Sequence, residues 1–207
     1  MNVTDFYTAS LLESIEVKQR TIDACRTDVV RAVELIVAAY RAGGKVLFCG
    51  NGGSAADCQH LACELLIRLS HDVQRPALAA FSLCTDPSVM TGGGNDIGYE
   101  NIFARSVEGL GNPGDVLVGI STSGRSRNIV LAVEKARERG MRTICLLGND
   151  GGLLREACDV AIVVPSANTQ RIQEAHITIG HVICESVERE LFPSAVDAAP
   201  ATLTVTD

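Results

Sequence analysis

The sequence predicts an α/β fold of three layers, in which a parallel, doubly wound sheet carries helices on both faces. Short apolar runs alternate along the chain with stretches of helical periodicity, and this alternation is typical of parallel sheets that are covered on both sides. The chain has 207 residues, of which 46% are hydrophobic. That length and composition are enough for one domain with a sizeable core.

The elements follow one another in a regular order. Residues 8–42 have apolar side chains at helical spacing and are followed by Gly43-Gly44, which predicts an N-terminal helical segment. Predicted strands cover 46–49, 76–83, 116–120, 143–147 and 160–164, and predicted helices cover 55–66, 99–110, 126–139 and 170–191.

The remaining stretches are expected to be irregular. Asp86–Gly98 is predicted to be a turn-rich connection whose most flexible part is Gly92-Gly93-Gly94. The small and polar residues 193–207 are predicted to form a disordered tail. We therefore expect one domain over residues 1–192, which includes N-terminal helices over about residues 1–44.

Composition excludes several classes of partner. The net charge is −7 and the isoelectric point is near 5.1, without a basic patch, so nucleic acid is not expected as a direct partner. No apolar run reaches the roughly 18–20 residues that span a bilayer, and the first 20 residues do not resemble a secretory signal. The eight cysteines contain no CxxC pair. These features predict a cytoplasmic protein with reduced thiols and no membrane attachment.

The most informative segment is Val46–Glu64, VLFCGNGGSAADCQHLACE. A buried strand, a glycine-rich turn and a helix N-terminus, with Ser54 expected as the N-cap, form a natural anion site. His60 and Glu64 lie four residues apart on that helix, about 40° apart around its axis. The pair is either a solvated surface pair or a carboxylate and an imidazole offered to the bound anion. Cys58 and Cys63 also flank His60, but their spacing puts them on different helix faces and disfavours a Cys/His metal site.

A second donor-rich loop follows the strand at 116–120. Ser121-Thr122-Ser123-Gly124-Arg125-Ser126 supplies four hydroxyl groups and a helix N-terminus within six residues. Such a cradle suits a phosphomonoester, which accepts several N–H and O–H donors. The alternative is an ordinary serine-rich cap, which accounts for one hydroxyl group but not for four.

The last predicted helix carries further polar residues in RIQEAHITIGHVICE. Gln173 and Glu174 point about 100° apart, so only one of them can join a given site. His176 and His181 diverge by about 140°, so at most one of these imidazoles shares a site with the loops. Spacing alone does not choose within either pair.

Three blocks of the sequence resemble the sedoheptulose-7-phosphate isomerases, or phosphoheptose isomerases, of the sugar-isomerase (SIS) domain superfamily. The blocks are CGNGGSAADCQH-x-x-x-E, GISTSGRSRNI and RIQEAHITIGHVIC, with NDIGYENIF between them, and they match in order and spacing over roughly residues 5–192. The resemblance implies a flavodoxin-like sheet order, a homotetramer with sites at subunit interfaces, and the conversion of sedoheptulose 7-phosphate to D-glycero-D-manno-heptose 7-phosphate through a cis-enediol.

The resemblance also implies roles for individual residues. A zinc ion would be held by His60, Glu64, Gln173 and His181, with Glu64 as general base and His181 as general acid. Arg68 matches an arginine near the site. The implied substrate-binding residues are Asn51, Gly52, Gly53, Ser54, Arg68, Asn95, Asp96, Ser121, Thr122, Ser123, Ser126 and Gln173.

Two positions depart from the family pattern, and two other functional classes compete with the enzyme. Arg125 stands where relatives often have Asn, and Gln170 stands where some have Asp. Replication-initiator-associating proteins share the fold and the two loops but act as non-catalytic phosphosugar- or protein-binding modules. They lack the Glu and the final His that this chain has at positions 64 and 181. Transcription regulators of the superfamily add a DNA-binding domain, for which the first 44 residues are too short and too acidic.

Overall fold

The computed structural model describes residues 2–197 and contains one five-stranded parallel sheet with the strand order β2-β1-β3-β4-β5. The strands are β1 (Val46–Gly50), β2 (Ala80–Ser82), β3 (Val116–Ser121), β4 (Arg142–Gly148) and β5 (Val160–Val164). The helices are α1 (Val3–Arg41), α2 (Gly53–Leu66), α3 (Pro87–Asp96), α4 (Ile102–Leu110), α5 (Arg127–Glu138), α6 (Leu154–Ala157), α7 (Thr169–Leu191) and α8 (Pro193–Asp197). This architecture confirms the predicted three-layer fold and its flavodoxin-like strand order.

The sheet separates two hydrophobic cores. Alternate strand residues point to opposite faces, so Val46 and Phe48 pack with α1, α2 and α7, whereas Leu47 and Cys49 pack with α4, α5 and α6. Every residue of β1 and β3 is buried, as expected for central strands of a sheet that is covered on both faces.

Helix α1 is one continuous helix of 39 residues. Asn2 caps it by accepting a hydrogen bond from the N–H of Asp5, and the chain leaves it through Gly43, whose φ is +79°. Its buried positions recur every three or four residues from Ser14 through Val17 and Thr21 to Cys25, which places them along one stripe. Other apolar side chains of α1 remain exposed in this single chain.

Two expectations about local structure are wrong. The segment predicted to be a turn-rich connection forms helix α3, because Asp86 accepts hydrogen bonds from the N–H groups of Ser88 and Val89 and Pro87 occupies the first helical position. Ser54 is not the N-cap of α2, since that helix begins after Gly52 and has no side-chain cap.

Strand and tail boundaries also differ from the expectations. The second strand covers only Ala80–Ser82 instead of 76–83. The first residues of the segment predicted to be disordered form the short helix α8, and residues 198–207 lie outside the described part of the chain. The extent of the domain over residues 1–192 stays a prediction. Within residues 2–197, no helix is apolar over a length that would cross a bilayer.

Candidate active site

The candidate site lies at the carboxyl edge of the sheet, beside the point where the strand order reverses between β1 and β3. Parallel sheets bind ligands in the crevice at such a point. The loop after β1 turns sharply at Gly52, whose φ is +57°, a conformation that favours glycine. The N–H of Ser54 then bonds to the carbonyl of Asn51, and α2 starts from this turn with its N-terminus at the crevice.

Helices α2 and α7 bring two imidazoles and a carboxylate together. The Nε2 atoms of His60 and His181 are 2.7 Å apart, and the two rings meet edge to face with centroids 5.0 Å apart. An oxygen of Glu64 is 3.5 Å from Nε2 of His60, and the Glu64 side chain is only 15% exposed. Thus His60 and Glu64, one helical turn apart, share a face of α2 that meets His181.

A second carboxylate on α2 was missed by the sequence analysis. Asp57 precedes His60 and Glu64 at positions i, i+3 and i+7, a spacing that places all three on one helix face. Oxygen Oδ2 of Asp57 is buried without a hydrogen-bond partner. Burial raises the pKa of Asp57, while the nearby imidazoles of His60 and His181 act in the opposite direction.

Gln173 reaches the start of α2 and Glu174 does not. A Cβ atom added at Gly53 would lie 2.5 Å from Nε2 of Gln173, so the Gln173 amide rests directly on the loop between β1 and α2. Glu174 instead pairs with Arg171 at 3.2 Å. A side chain at position 53 would therefore force the Gln173 amide to move.

The two histidines of α7 lie in different surroundings. His181 faces His60, whereas His176 is fully buried and contacts the carbonyl of Leu147 through Nε2 at 2.9 Å. Burial lowers the pKa of His176 to about 4. His176 is therefore neutral at physiological pH and belongs to the core instead of the site.

A buried ion pair fixes the end of α2 against α7. The Nε of Arg75 donates to Oε1 of Glu188 at 2.7 Å, and the two side chains are 0% and 1% exposed. Nη2 of Arg75 also donates to the carbonyl oxygen of Glu64 at 2.7 Å, and the N–H of Leu69 donates to Glu188. The backbone of Glu64 is thus anchored to the helix that carries His181.

The loop after β3 holds the expected hydroxyl groups in a compact turn. The hydroxyls of Ser121 and Ser126 are 3.1 Å apart, and Ser123 accepts a hydrogen bond from the N–H of Arg125. The guanidinium of Arg125 forms a bidentate ion pair with Asp150, with both N···O distances at 2.7 Å. At position 125 the chain therefore carries a cation that already has a partner. The carbonyl of Thr122 accepts a bond from Asn149.

The loops after β1 and β3 are joined by amide side chains. Asn51 and Asn128 exchange two hydrogen bonds of 3.0 and 2.8 Å, and the hydroxyl of Tyr99 donates to Oδ1 of Asn51 at 2.8 Å. Neither Asn128 nor Tyr99 was singled out from the sequence, although Tyr99 lies in the quoted segment NDIGYENIF and Asn128 in the quoted segment GISTSGRSRNI.

Three further candidate residues lie at the ends of helices and make few hydrogen bonds or ion pairs within the described residues. Asn95 and Asp96 are exposed at the end of α3, where the Asn95 amide donates to Asp96 at 2.7 Å. Arg68 follows the end of α2 and makes no hydrogen bond or ion pair with any residue of the described range 2–197. These side chains are available to a ligand instead of being used by the fold.

The donor chemistry of the cluster fits a transition-metal ion. Two imidazole nitrogens, a carboxylate and a neighbouring amide are the kinds of ligand that zinc accepts. The buried and unpartnered oxygen of Asp57 beside them favours a positive charge at this place. Among residues 2–197 no group of three His, Cys, Asp or Glu side chains is placed to hold a metal ion, so binding of one would require these side chains to rearrange.

Comparison with known proteins identifies close relatives. The SIS domain family model matches residues 9–148. A curated phosphoheptose isomerase from Clostridium acetobutylicum is 50% identical over 195 residues, which cover 93% of this chain and 98% of that protein. Another, from Roseiflexus sp., is 51% identical over 179 residues, 86% of this chain and 90% of that protein.

Solved structures agree with these relatives. A phosphoheptose isomerase from Neisseria gonorrhoeae has a TM-score of 0.84 at 42% identity, covering 90% of this chain and 99% of its own. A phosphoheptose isomerase from Francisella tularensis has a TM-score of 0.87 at 38% identity, and the match covers 91% of this chain and 100% of that one. The sugar isomerase domain of a transcription factor from Sphaerobacter thermophilus shares the fold alone, with 18% identity and a TM-score of 0.64.

Proposed function

This chain belongs to the SIS domain family and, within it, to the phosphoheptose isomerases, and from that premise we propose that it converts sedoheptulose 7-phosphate to D-glycero-D-manno-heptose 7-phosphate through a cis-enediol. The single observation that best supports this reaction is that Glu64 lies 3.5 Å from His60, whose imidazole in turn contacts that of His181. Its relatives are enzymes, which argues against the hypothesis of a non-catalytic binding module.

Ketose-to-aldose conversion moves one proton from C1 to C2 and a second proton between the two oxygens. Glu64 is the proposed base, because a carboxylate held on one face of the substrate can take the C1 proton and return it at C2. Its low exposure and the anchored carbonyl of the same residue support a fixed position for this carboxylate.

His181 is the proposed acid for the oxygen atoms. An imidazole donates and accepts protons near neutral pH, so it can protonate one oxygen and accept the proton of the other. His181 lies next to the imidazole of His60 and comes from a different helix than Glu64, which lets the two catalytic groups approach a substrate from different directions.

The phosphate is assigned to the loop Ser121–Ser126 and the sugar chain to the neighbouring loops. Ser121, Thr122, Ser123 and Ser126 offer hydroxyl and N–H donors around a phosphomonoester, as do Gly52, Gly53 and Ser54 at the start of α2. Asn51, Asn95, Asp96, Gln173 and Arg68 are proposed to bind the sugar oxygens. Binding energy from the remote phosphate then orients C1 and C2 at Glu64.

We propose zinc as the cofactor, held by His60, Glu64, Gln173 and His181. When bound, the ion would polarise the carbonyl group and stabilise negative charge on the two oxygens. Because His181 is both a proposed ligand and the proposed acid, the two roles compete for the same imidazole. The neutral Gln173 amide leaves more positive charge at the ion than a second carboxylate would.

A homotetramer in the cytoplasm completes the proposal. Apolar side chains on α1 are exposed in the single chain, including Phe6 at 65%, Leu12 at 60% and Ile15 at 59%. A groove of about 870 Å³ runs between α1 and α7, and surfaces of this kind mark protein–protein contacts. All eight cysteines are free thiols, as in cytoplasmic proteins. Light scattering at micromolar concentration tests the assembly, and a monomer mass would contradict it.

The reaction is tested by incubating the purified protein with sedoheptulose 7-phosphate and following the aldose by NMR. Glu64→Gln keeps the size of the side chain but removes the base, so the rate should fall by about 10²–10⁴-fold. Glu138→Gln, at an exposed site on α5, is the matched control and should leave the rate unchanged.

Two outcomes would contradict this proposal. Wild-type turnover by Glu64→Gln would exclude Glu64 as the base. Binding of sedoheptulose 7-phosphate by the wild-type protein without any isomerisation would exclude the reaction and support a binding module.

A further inference from the structure

The orientation of the Asn51 amide is set by a chain of hydrogen bonds that starts at the backbone. The N–H of Ile129, which also donates to the carbonyl of Ser126, donates to Oδ1 of Asn128 at 3.0 Å, so the oxygen of this amide faces the backbone of α5. Its nitrogen then faces Oδ1 of Asn51, to which it donates at 2.8 Å. Asn128 is only 4% exposed, and α5 therefore determines which end of the Asn51 amide is presented to the crevice.

Tyr99 completes the arrangement from the opposite side. Its hydroxyl donates to the same oxygen of Asn51 at 2.8 Å, which occupies both lone pairs of that oxygen. The nitrogen of Asn51 uses one of its two N–H groups for Asn128. One N–H remains, so the only hydrogen bond that Asn51 can still offer is as a donor.

We propose that Tyr99 and Asn128 are positioning residues that hold Asn51 as a dedicated hydrogen-bond donor to an oxygen of the sugar phosphate. This inference rests on the proposed function, because it specifies how one of the proposed substrate-binding residues works. Asn128 lies just after the loop Ser121–Ser126, whereas Asn51 precedes α2. The amide pair therefore also fixes the spacing between the loop assigned to the phosphate and the loop that leads into α2, the helix that carries Glu64 near its other end.

The hydroxyl of Tyr99 is the part of this arrangement that can be removed with little effect on folding. The ring is 51% exposed on a 3₁₀ turn at Tyr99–Asn101, so Tyr99→Phe removes one donor without opening a cavity. Asn51 Oδ1 then has a free lone pair, and the amide is less restrained against rotation. A donor contact that is equally present in the ground and transition states contributes to KM and not to kcat.

The test is a set of four proteins assayed for kcat and KM with sedoheptulose 7-phosphate, namely wild type, Tyr99→Phe, Asn51→Ala and the double variant. Tyr99→Phe should raise KM by about three- to tenfold, the effect of one neutral hydrogen bond, with kcat changed by less than about twofold. In the Asn51→Ala background the same substitution should change KM by less than about twofold, because the group that it positions is gone.

Tyr40→Phe is the matched control. It also removes one hydrogen bond from a tyrosine hydroxyl, the 3.2 Å contact with the carbonyl of Ala79, but at the amino edge of the sheet, opposite the loops after β1 and β3. It should leave KM unchanged. An unchanged KM in Tyr99→Phe, or an equal rise in KM with and without Asn51, would overturn the inference.

Calorimetric affinities for sedoheptulose 7-phosphate are measured on the same four proteins. If the wild type binds this sugar phosphate but does not isomerise it, the proposed function fails, whereas the coupling between Tyr99 and Asn51 is still decided by the affinities. If the wild type neither binds nor isomerises it, both proposals fail.

Discussion

Replacing Arg75 by Met should destabilise the protein by about 3–5 kcal/mol, the usual result of removing one partner from a buried ion pair. In the native protein Glu188 accepts the 2.7 Å bond from Arg75 and a 3.2 Å bond from the N–H of Leu69, and its other oxygen has no partner. After the substitution only the N–H of Leu69 would face a buried carboxylate. The carbonyl of Glu64 would also lose its donor.

Two companion variants separate the buried charge from the lost packing. Glu188→Gln keeps the packing and an acceptor for Arg75 and for Leu69 but leaves the buried guanidinium without its counter-charge, so it should also destabilise the protein, by about 3–5 kcal/mol. The double variant Arg75→Met/Glu188→Leu leaves no buried charge and should regain at least half of the loss of Arg75→Met, because apolar groups often replace a buried ion pair without penalty. Arg105→Met, whose partner Glu108 is exposed, is the surface control and should change stability by less than about 1 kcal/mol.

The free energies come from urea unfolding followed by circular dichroism. All variants must be compared at one protein concentration, because self-association would shift the apparent stability. Domains of this size typically have stabilities of about 5–15 kcal/mol, so the predicted loss is measurable. A loss of less than about 1 kcal/mol for Arg75→Met, or a double variant less stable than Arg75→Met alone, would refute the assignment of the cost to an uncompensated carboxylate.

Three further predictions concern the site and its surroundings. Gly53→Ala should displace the Gln173 amide and lower activity at least tenfold, with less than about 1 kcal/mol of lost stability. Gly109→Ala is the control and should leave activity unchanged, because a Cβ added there meets nothing within 4 Å. Equal activities of the two variants would contradict the Gly53–Gln173 contact. The pKa of His176 is about 4 in the folded protein, so on acidification its imidazole is protonated first in the unfolded chain. The free energy of unfolding should therefore fall by about 3 kcal/mol as pH decreases from roughly 6.5 to 4. A His176→Gln variant with the same pH dependence in urea titrations would argue against this assignment to His176. Treatment with a strong chelator should reduce turnover and zinc should restore it; full activity of protein shown to be metal-free by elemental analysis would exclude a catalytic metal.

The sheet was predictable from the sequence because each strand is a short apolar run between glycine or polar residues. Phe48 and Val118 pack on one face and Leu47 and Leu117 on the other, so no alternation of polar residues obscures these strands. Helix α3 was not predictable from periodicity, since its glycines have no side chains to bury. Only the cap at Asp86 followed by Pro87 carried the signal.

The site was predictable in part. The spacing of His60 and Glu64 on one helix already places them on a common face. The choice of Gln173 over Glu174, and of His181 over His176, depends on how α7 is rotated, and that rotation is set by packing between distant segments. Gly180 illustrates this, because a Cβ at this position would lie 2.6 Å from the Leu61 side chain. No local pattern in either helix records that contact.

The division of the site between α2 and α7 has a consequence for the order in which the molecule matures. His60 and His181 are 121 positions apart in the chain, and the strands β2 to β5 are made between them. A nascent chain contains all five strands before α7 has been synthesised, but it cannot bring Glu64 together with His181 until that helix has been made. Closing so distant a contact is slow compared with local folding. Isomerase activity should therefore be among the last properties that the folding chain acquires, and its appearance would time the docking of the final long helix.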